Sequence, residues 1–225
     1  MIKPHFFAAA LAALCLSPAA ALATDLALTA DLGTTGLGLH VSTPLRQNLN
    51  ARVGFNYLNY SYNGSTSDLS YDFKLKLNTF DALLDYFPGD SDFRLTGGLV
   101  YNNNKIDAIG KPTATGTYTI NGTTYSAASA GQLDGKIDFR KVAPYLGIGW
   151  GNPVRKDTGW GFSADAGILF QGTPGSSLTN SGCTATPALC SQLATDVDAE
   201  NIKLHDKVND LKLYPVLRIG ASYRF

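Results

Sequence analysis

Apolar and polar residues alternate with period two along most of this chain. Leu37, Leu39 and Val41 are interleaved with Gly38, His40 and Ser42, and Val53, Phe55 and Tyr57 with Arg52, Gly54 and Asn56. Leu69, Tyr71, Phe73, Leu75 and Leu77 alternate with Ser70, Asp72, Lys74 and Lys76. The segments from Phe93 to Asn102 and from Trp160 to Gln171 repeat the pattern. Strict alternation over such lengths makes strands with one apolar and one polar face. Composition agrees. Charged residues are 16% of the chain, below the roughly 25% of globular proteins. Beyond residue 23 the only glutamate is Glu200, and the whole chain has a single Met, whereas a helical enzyme draws on Glu, Leu and Met for its helices. Net charge is zero with no Lys/Arg-rich run, which gives nucleic acid no purchase.

Two all-β folds share this pattern. A soluble sandwich turns its apolar faces inward, whereas a membrane barrel turns them to lipid and its polar faces to the lumen. Strands of ~10 residues and more suit a tilted membrane strand. The aromatics Tyr57, Tyr86, Phe93, Trp150, Trp160 and Tyr223 fall at strand ends, as interfacial girdles require. Connections alternate between short (43–48, 88–92, 152–158) and long (63–67, 105–132, 172–210). The expectation is an antiparallel up-and-down transmembrane barrel of eight strands, at 24–32, 35–42, 49–62, 68–87, 93–104, 133–151, 159–171 and 211–225. Alternation slips between Leu77 and Phe80 and between Phe139 and Pro144, and each slip predicts a β-bulge. Asn121-Gly122 marks a hairpin in the first long loop, expected to extend the barrel wall. In the last loop Leu189, Leu193, Val197, Leu204, Val208 and Leu211 recur at steps of mostly three and four, which predicts a short amphipathic helix.

The chain opens on a leader pattern. Lys3 precedes an apolar run from Phe6 to Leu16, and Ala21-Leu22-Ala23 is a small-x-small cleavage site. Residues 1–23 are thus expected to be a signal peptide and 24–225 the barrel. Cys15 follows Leu14 rather than the small residue of a lipidation site. No later stretch holds ~20 consecutive apolar residues, the length of a transmembrane helix. Cys183 and Cys190 remain as an even pair, which in an exported protein reads as a disulfide. Further Cys or His at metal-ligand spacing is absent around them, and neither a metal nor a cofactor is expected.

The last strand carries the most specific motif. Phe225 ends the chain, with Tyr223, Ala221, Ile219 and Leu217 alternating back from it. This resembles the C-terminal signature of Gram-negative outer-membrane barrels. The chain as a whole resembles the small eight-stranded barrels of the OmpW, OmpX and opacity-protein type, in runs such as Tyr145-Leu146-Gly147-Ile148-Gly149-Trp150. The resemblance implies export, handling by periplasmic chaperones, insertion by the barrel assembly machinery and residence in outer-membrane lipid.

Function is sought on the polar face. Arg52, Asp72, Lys74, Lys76, Arg94, Asp165 and Arg218 are expected to line the lumen, with Asp81, Asp85, Asp138 and Arg140 beside them. Opposite charges there could pair and close an interior just wide enough for side chains. Alternatively they could line a narrow polar conduit, with Gly98, Gly147, Gly149, Gly167 and Gly220 leaving room at the wall. The leading expectation is a porin-like barrel with a narrow or gated lumen for small molecules. The alternative is a non-conducting surface barrel whose loops at 105–132 and 172–210 meet a partner. His40 and Ser42 share a strand face, a spacing that could join base to nucleophile, but no nearby acid orients His40. A lipid-modifying enzyme is therefore the least favoured reading.

Overall fold

A computed structural model describes residues 25–65, 70–89, 91–155 and 158–225. The leader, its cleavage site, Cys15 and part of the loop at 63–67 lie outside the described residues. Thirteen strands and two helices follow in order: β1 (Ala27–Gly33), β2 (Gly36–Arg46), β3 (Leu49–Ser65), β4 (Ser70–Tyr86), β5 (Phe93–Asn102), β6 (Lys105–Lys111), β7 (Thr117–Ile120), β8 (Thr123–Ser126), α1 (Ala127–Ala130), β9 (Gln132–Asp138), β10 (Val142–Trp150), β11 (Gly159–Phe170), β12 (Gly175–Ser181), α2 (Pro187–Val208) and β13 (Leu213–Arg224). Eight of them close a barrel in the order β1-β2-β3-β4-β5-β10-β11-β13, with β13 pairing back onto β1. All neighbours are antiparallel.

The alternation decides which way this wall faces. Leu37, Phe55, Phe80, Leu99, Leu146 and Ile219 project outward and are each 45–66% exposed, while the polar residues between them are buried. A soluble protein does not expose a continuous apolar belt of this extent, so the outer face is a lipid face and the sandwich is excluded. Trp150 and Phe93 sit opposite each other in register at one rim. Trp160 and Tyr223 stack edge-on there with centroids 5.3 Å apart.

Strand length sets the second storey. β3 and β4 have 17 residues each, roughly 56 Å at ~3.3 Å per residue, far more than a tilted membrane crossing needs. Their upper halves stand clear of the barrel, where β4 leaves β5 and pairs with β6, and the sheet continues through β9 to β12. This explains both slips of the alternation, and neither is a bulge. The β3–β4 ladder runs from Leu49↔Tyr86 to Ser65↔Ser70 without a register shift. Below Asn78 the outward face meets lipid and is apolar. Above it the opposite face is the apolar one, because Leu75 there pairs with Ile106, and Ile106 with Ile137. The expected strand 133–151 is two strands: β9 pairs with β6 and β12, β10 with β5 and β11, and the chain breaks at 139–141 to pass between the two storeys. The one irregularity is at Pro44/Arg46, between β2 and β3.

The long connections fold into a cap. Asn121 and Gly122 both have positive φ, +50° and +81°, the conformation of a type I′ turn, and they join β7 to β8. That hairpin is a sheet of its own rather than an extension of the wall. It packs on α2: Tyr118, Ile120, Tyr125, Leu133, Leu193 and Val197 form a core separate from the barrel. The helix has 22 residues, three fewer than the periodic stretch from Pro187 to Leu211, and is capped by Thr186 with Pro187 in its first turn. Its buried apolar stripe is narrower than expected, because Leu189 is exposed and Leu211 falls beyond its end. Cys183 and Cys190 are joined, with Cα atoms 6.0 Å apart, tying the segment before α2 to its first turn. Changing both to serine should loosen the cap by roughly 2 kcal/mol, from the loop-closure entropy of so short a ring. Protease cleavage within α2 should accelerate while the heat-shifted band of the folded barrel is unchanged. The native protein should resist thiol labelling until reduced.

The cap also has a pH window. Asn121 Nδ2 donates to Asp196 at 3.0 Å, and the Tyr125 hydroxyl donates to the same carboxylate. These hydrogen bonds, the one from Asn121 foremost, hold the Asp196 carboxyl below its ordinary range. Burial first, and then Asp196, push the Tyr125 hydroxyl up to about 12. A depressed carboxyl stabilises above its unfolded pKa near 4 and loses that contribution as pH falls through the folded value. A raised tyrosine stabilises below its unfolded pKa near 10 and loses that contribution as pH rises towards the folded value. The near-ultraviolet tyrosine signal of the cap should therefore collapse below about pH 4 and above about pH 10, and Asp196→Asn should abolish the acid limb.

Candidate functional site

Inward-facing polar residues from seven of the eight wall strands, all but β10, meet in two clusters. In the first, Arg52 on β3 donates to Asp165 on β11 at 2.8 and 3.1 Å, and its Nε lies 3.0 Å from Asp85 on β4. Arg94 on β5 donates to Asp165 at 2.8 Å, to Ser163 Oγ at 3.0 Å and to the Gly151 carbonyl. Thr96 donates to Asp85 at 2.6 Å. β3 and β11 are third and seventh in the ring of eight, so Arg52–Asp165 spans the full diameter.

The second cluster surrounds His40 on β2. Its Nδ1 is 2.7 Å from Asp31 on β1 and its Nε2 3.1 Å from Asp81 on β4. Arg218 on β13 reaches Asp81 at 2.7 Å, again between strands four places apart, and its Nε donates to Thr35 at 3.0 Å. Asn56 donates to Thr79 and Asp81, both at 3.0 Å. Each His40 nitrogen faces a carboxylate, so an imidazolium donating from both satisfies both. It also balances the interior, because Arg52, Arg94, Arg218 and His40 then match Asp31, Asp81, Asp85 and Asp165. All eight are buried.

An apolar cluster of Leu83, Val100, Ala143, Tyr145, Leu169 and Val216 packs among the ions, with Leu83 between Asp81 and Asp85 on β4. At the rim near the termini Asn50 donates to Asn152 at 3.0 Å beside buried Phe87. The inward glycines lie close against neighbouring groups. A Cβ on Gly147 would come within 2.6 Å of the Tyr145 hydroxyl, and one on Gly149 within 2.6 Å of Arg94 Nε. Gly167 abuts Tyr145 in the same way, and Gly98 and Gly220 lie against the backbones of Ala82 and Ala30. The room these glycines make is already occupied.

Of the residues expected in the lumen, Arg52, Arg94, Asp165 and Arg218 are brought together inside, with Asp81 and Asp85. Asp72, Lys74 and Lys76 are not. With no bulge at 77–80, inward Asp81 fixes the even-numbered residues of β4 on its outer face. Asp72 there pairs with Lys111 at 2.6 Å and Lys76 with Asp107 at 2.7 Å. Asp138 pairs with Lys136 at 2.8 Å in the upper sheet, and Arg140 is exposed in the break after it. Sequence analysis missed Asp31, Asn56 and Tyr145. Asp31 was findable, since Thr29 and Asp31 are the polar phase of β1. His40 does have an orienting acid, but its Nε2 is taken by Asp81 rather than by Ser42, whose hydroxyl has no partner among the described residues. Base and nucleophile are not joined.

No protein-family model matches this chain, and no curated protein does. Solved structures do match. The crystal structure of Acinetobacter baumannii CarO aligns over 90% of this chain and 98% of its own, with 23% identity and a TM-score of 0.58. That of Acinetobacter baumannii CarO2 covers 90% and 99%, with 19% identity and a TM-score of 0.55. This chain has the fold of a small outer-membrane barrel. The near-complete coverage on both sides means that the upper sheet and cap fall within the aligned length. Leu217, Ile219 and Phe225, the expected assembly signal, all project from the lipid face or its rim and are 56–61% exposed, and Tyr223 packs on Phe225 with centroids 5.2 Å apart.

Proposed function

We propose that this outer-membrane barrel is a non-conducting surface protein whose working part is the cap. The observation that supports this is the pair of ionic braces across the full diameter, Arg52–Asp165 and Arg218–Asp81, with the apolar cluster packed among them. A solute would have to strip two guanidinium–carboxylate pairs and displace Tyr145 to pass. The cap offers a surface instead. Above Tyr57, β3 pairs only with β4 among the described residues, which leaves the edge at 58–65 bare, uncharged and flanked by Tyr60 and Tyr62, each more than half exposed. The far edge of the same sheet is covered, with Asn201 of α2 accepting from the Leu178 N–H at 3.1 Å. A bare edge of this kind suits an extended segment of a partner polypeptide.

Planar-bilayer conductance of the refolded protein, run beside heat-modifiability on a gel, tests the proposal. The expected outcome is a heat-shifted band with a silent bilayer. Discrete conductance steps from the heat-shifted species would overturn it in favour of a narrow porin using Arg52, Arg94 and Asp165.

A further inference from the structure

Just above the lipid belt, on the outer face of β3, β4, β6 and β9, charged residues fall in rows fixed by the register. In one row Ser61, Lys74, Asp107 and Lys136 lie side by side, and the signs of the charged residues alternate. In the next row down, nearest the membrane, the order is Asn59, Lys76, Lys105 and Asp138. There Lys76 stands directly opposite Lys105, a like-charge pair that destabilises a ladder unless an anion intervenes. Asp107 answers Lys76 at 2.7 Å, while Asp138, opposite Lys105 in register, pairs instead with Lys136 at 2.8 Å, so Lys105 is left without a carboxylate among the described residues. Lys74 and Lys105 make no ion pair among the described residues. Lys141 joins them from the break after β9, donating to Asn103 at 2.7 Å.

The height of this corner identifies its ligand. One rung below Lys76 on the same face lie Asn78 and Tyr57, and one further below lie Phe80, Tyr101 and Phe55, the upper aromatic edge of the lipid belt. The Tyr57 hydroxyl accepts from Asn59 at 2.5 Å, so its ring is anchored apolar end down and polar end up, as interfacial aromatics are. A strand rises ~3.3 Å per residue, which puts the Lys76 ammonium within one headgroup's depth of that edge. Lysine is a compact point charge that suits phosphate.

We propose that Lys74, Lys105 and Lys141, which have no carboxylate partner among the described residues, bind the phosphorylated headgroup of a lipid in the cap-side leaflet. The lipid fixes the barrel's depth and seats the cap on the membrane surface. This site is independent of whether the barrel conducts.

The test uses the full-length refolded protein in phosphatidylcholine nanodiscs doped either with a diphosphorylated glucosamine lipid or with its dephosphorylated form. Lipid retained on extraction into mild detergent is counted by native mass spectrometry. The wild type should retain the phosphorylated lipid and not the other. K74Q/K105Q/K141Q should weaken retention by roughly fivefold per lysine removed. K111Q/K136Q/K203Q, which removes the same charge from lysines already paired with carboxylates, should leave retention unchanged. Equal retention of both lipids, equal loss in both triple variants, or displacement by millimolar inorganic phosphate would each overturn the proposal. Should the first triple variant lose its heat shift, K105Q alone serves, with the same expectation per lysine and the same reversal if retention is unchanged.

Discussion

Asp165→Ala should cost the barrel about 3–5 kcal/mol. This one carboxylate accepts from Arg52 at 2.8 and 3.1 Å and from Arg94 at 2.8 Å. Without it two buried guanidiniums are left with Asp85 alone, and neither can shed its proton. The strongest electrostatic penalty in a protein is a buried charge deprived of its partner, and here the deficit falls on the brace that joins opposite walls. The urea midpoint, followed by loss of the heat-shifted band and by Trp150 and Trp160 fluorescence, should fall by about 1–5 M if the slope is ordinary for a small protein. Asp165→Asn keeps the shape and removes the charge, and should recover only a minor part. A midpoint shifted by less than half a molar would mean that the guanidiniums are hydrated, so that the interior holds a water path and the conduit reading returns.

His40→Leu should be comparably severe, about 3–5 kcal/mol, for the opposite reason. The change removes the cation between Asp31 and Asp81 and leaves four carboxylates facing three guanidiniums. The ring is fully buried and Gly54 lies flat against it, so water has little room to enter and compensate. The diagnostic variant is His40→Leu with Asp31→Asn, which restores three against three. Replacing both partners of a buried pair is far milder than removing one, so the double variant should recover most of the lost midpoint. If the double variant is no better than the single, charge balance is not what His40 supplies, and its role is packing against Gly54.

The depth of these two effects reflects how the interior is made. The ions come from seven strands, with only Asp81 and Asp85 sharing one, and the nearest partner in sequence, His40 to Asp31, is nine residues away, while Arg52 and Asp165 are 113 apart. Residue types and their alternation say that these side chains point to the polar face. Which pairs meet across the diameter depends on barrel closure and register, and a one-residue change of register would send every one of them to the lipid.

Period-two alternation and the aromatic strand ends determined by themselves that this chain makes a closed antiparallel wall with an apolar exterior. The hairpin at Asn121-Gly122 and the pairing of Cys183 with Cys190 were also legible, because each depends on residues close in sequence. Three things were decided only by the tertiary structure. Lys74 and Lys76 look like lumen residues because they alternate with Leu75 and Leu77. They lie outside, because β4 leaves one partner for another at Asn78 and its apolar side changes without any slip in the backbone. The segment 133–151 reads as one strand, yet it serves two different sheets. The inward glycines read as open space, but Tyr145 and Arg94, on the same or the neighbouring strand, fold over them. The physical reason is the same in each case. Alternation reports which face of a strand is apolar, whereas what that face meets (lipid, a cap or the opposite wall) is set by neighbours that the local sequence does not contain.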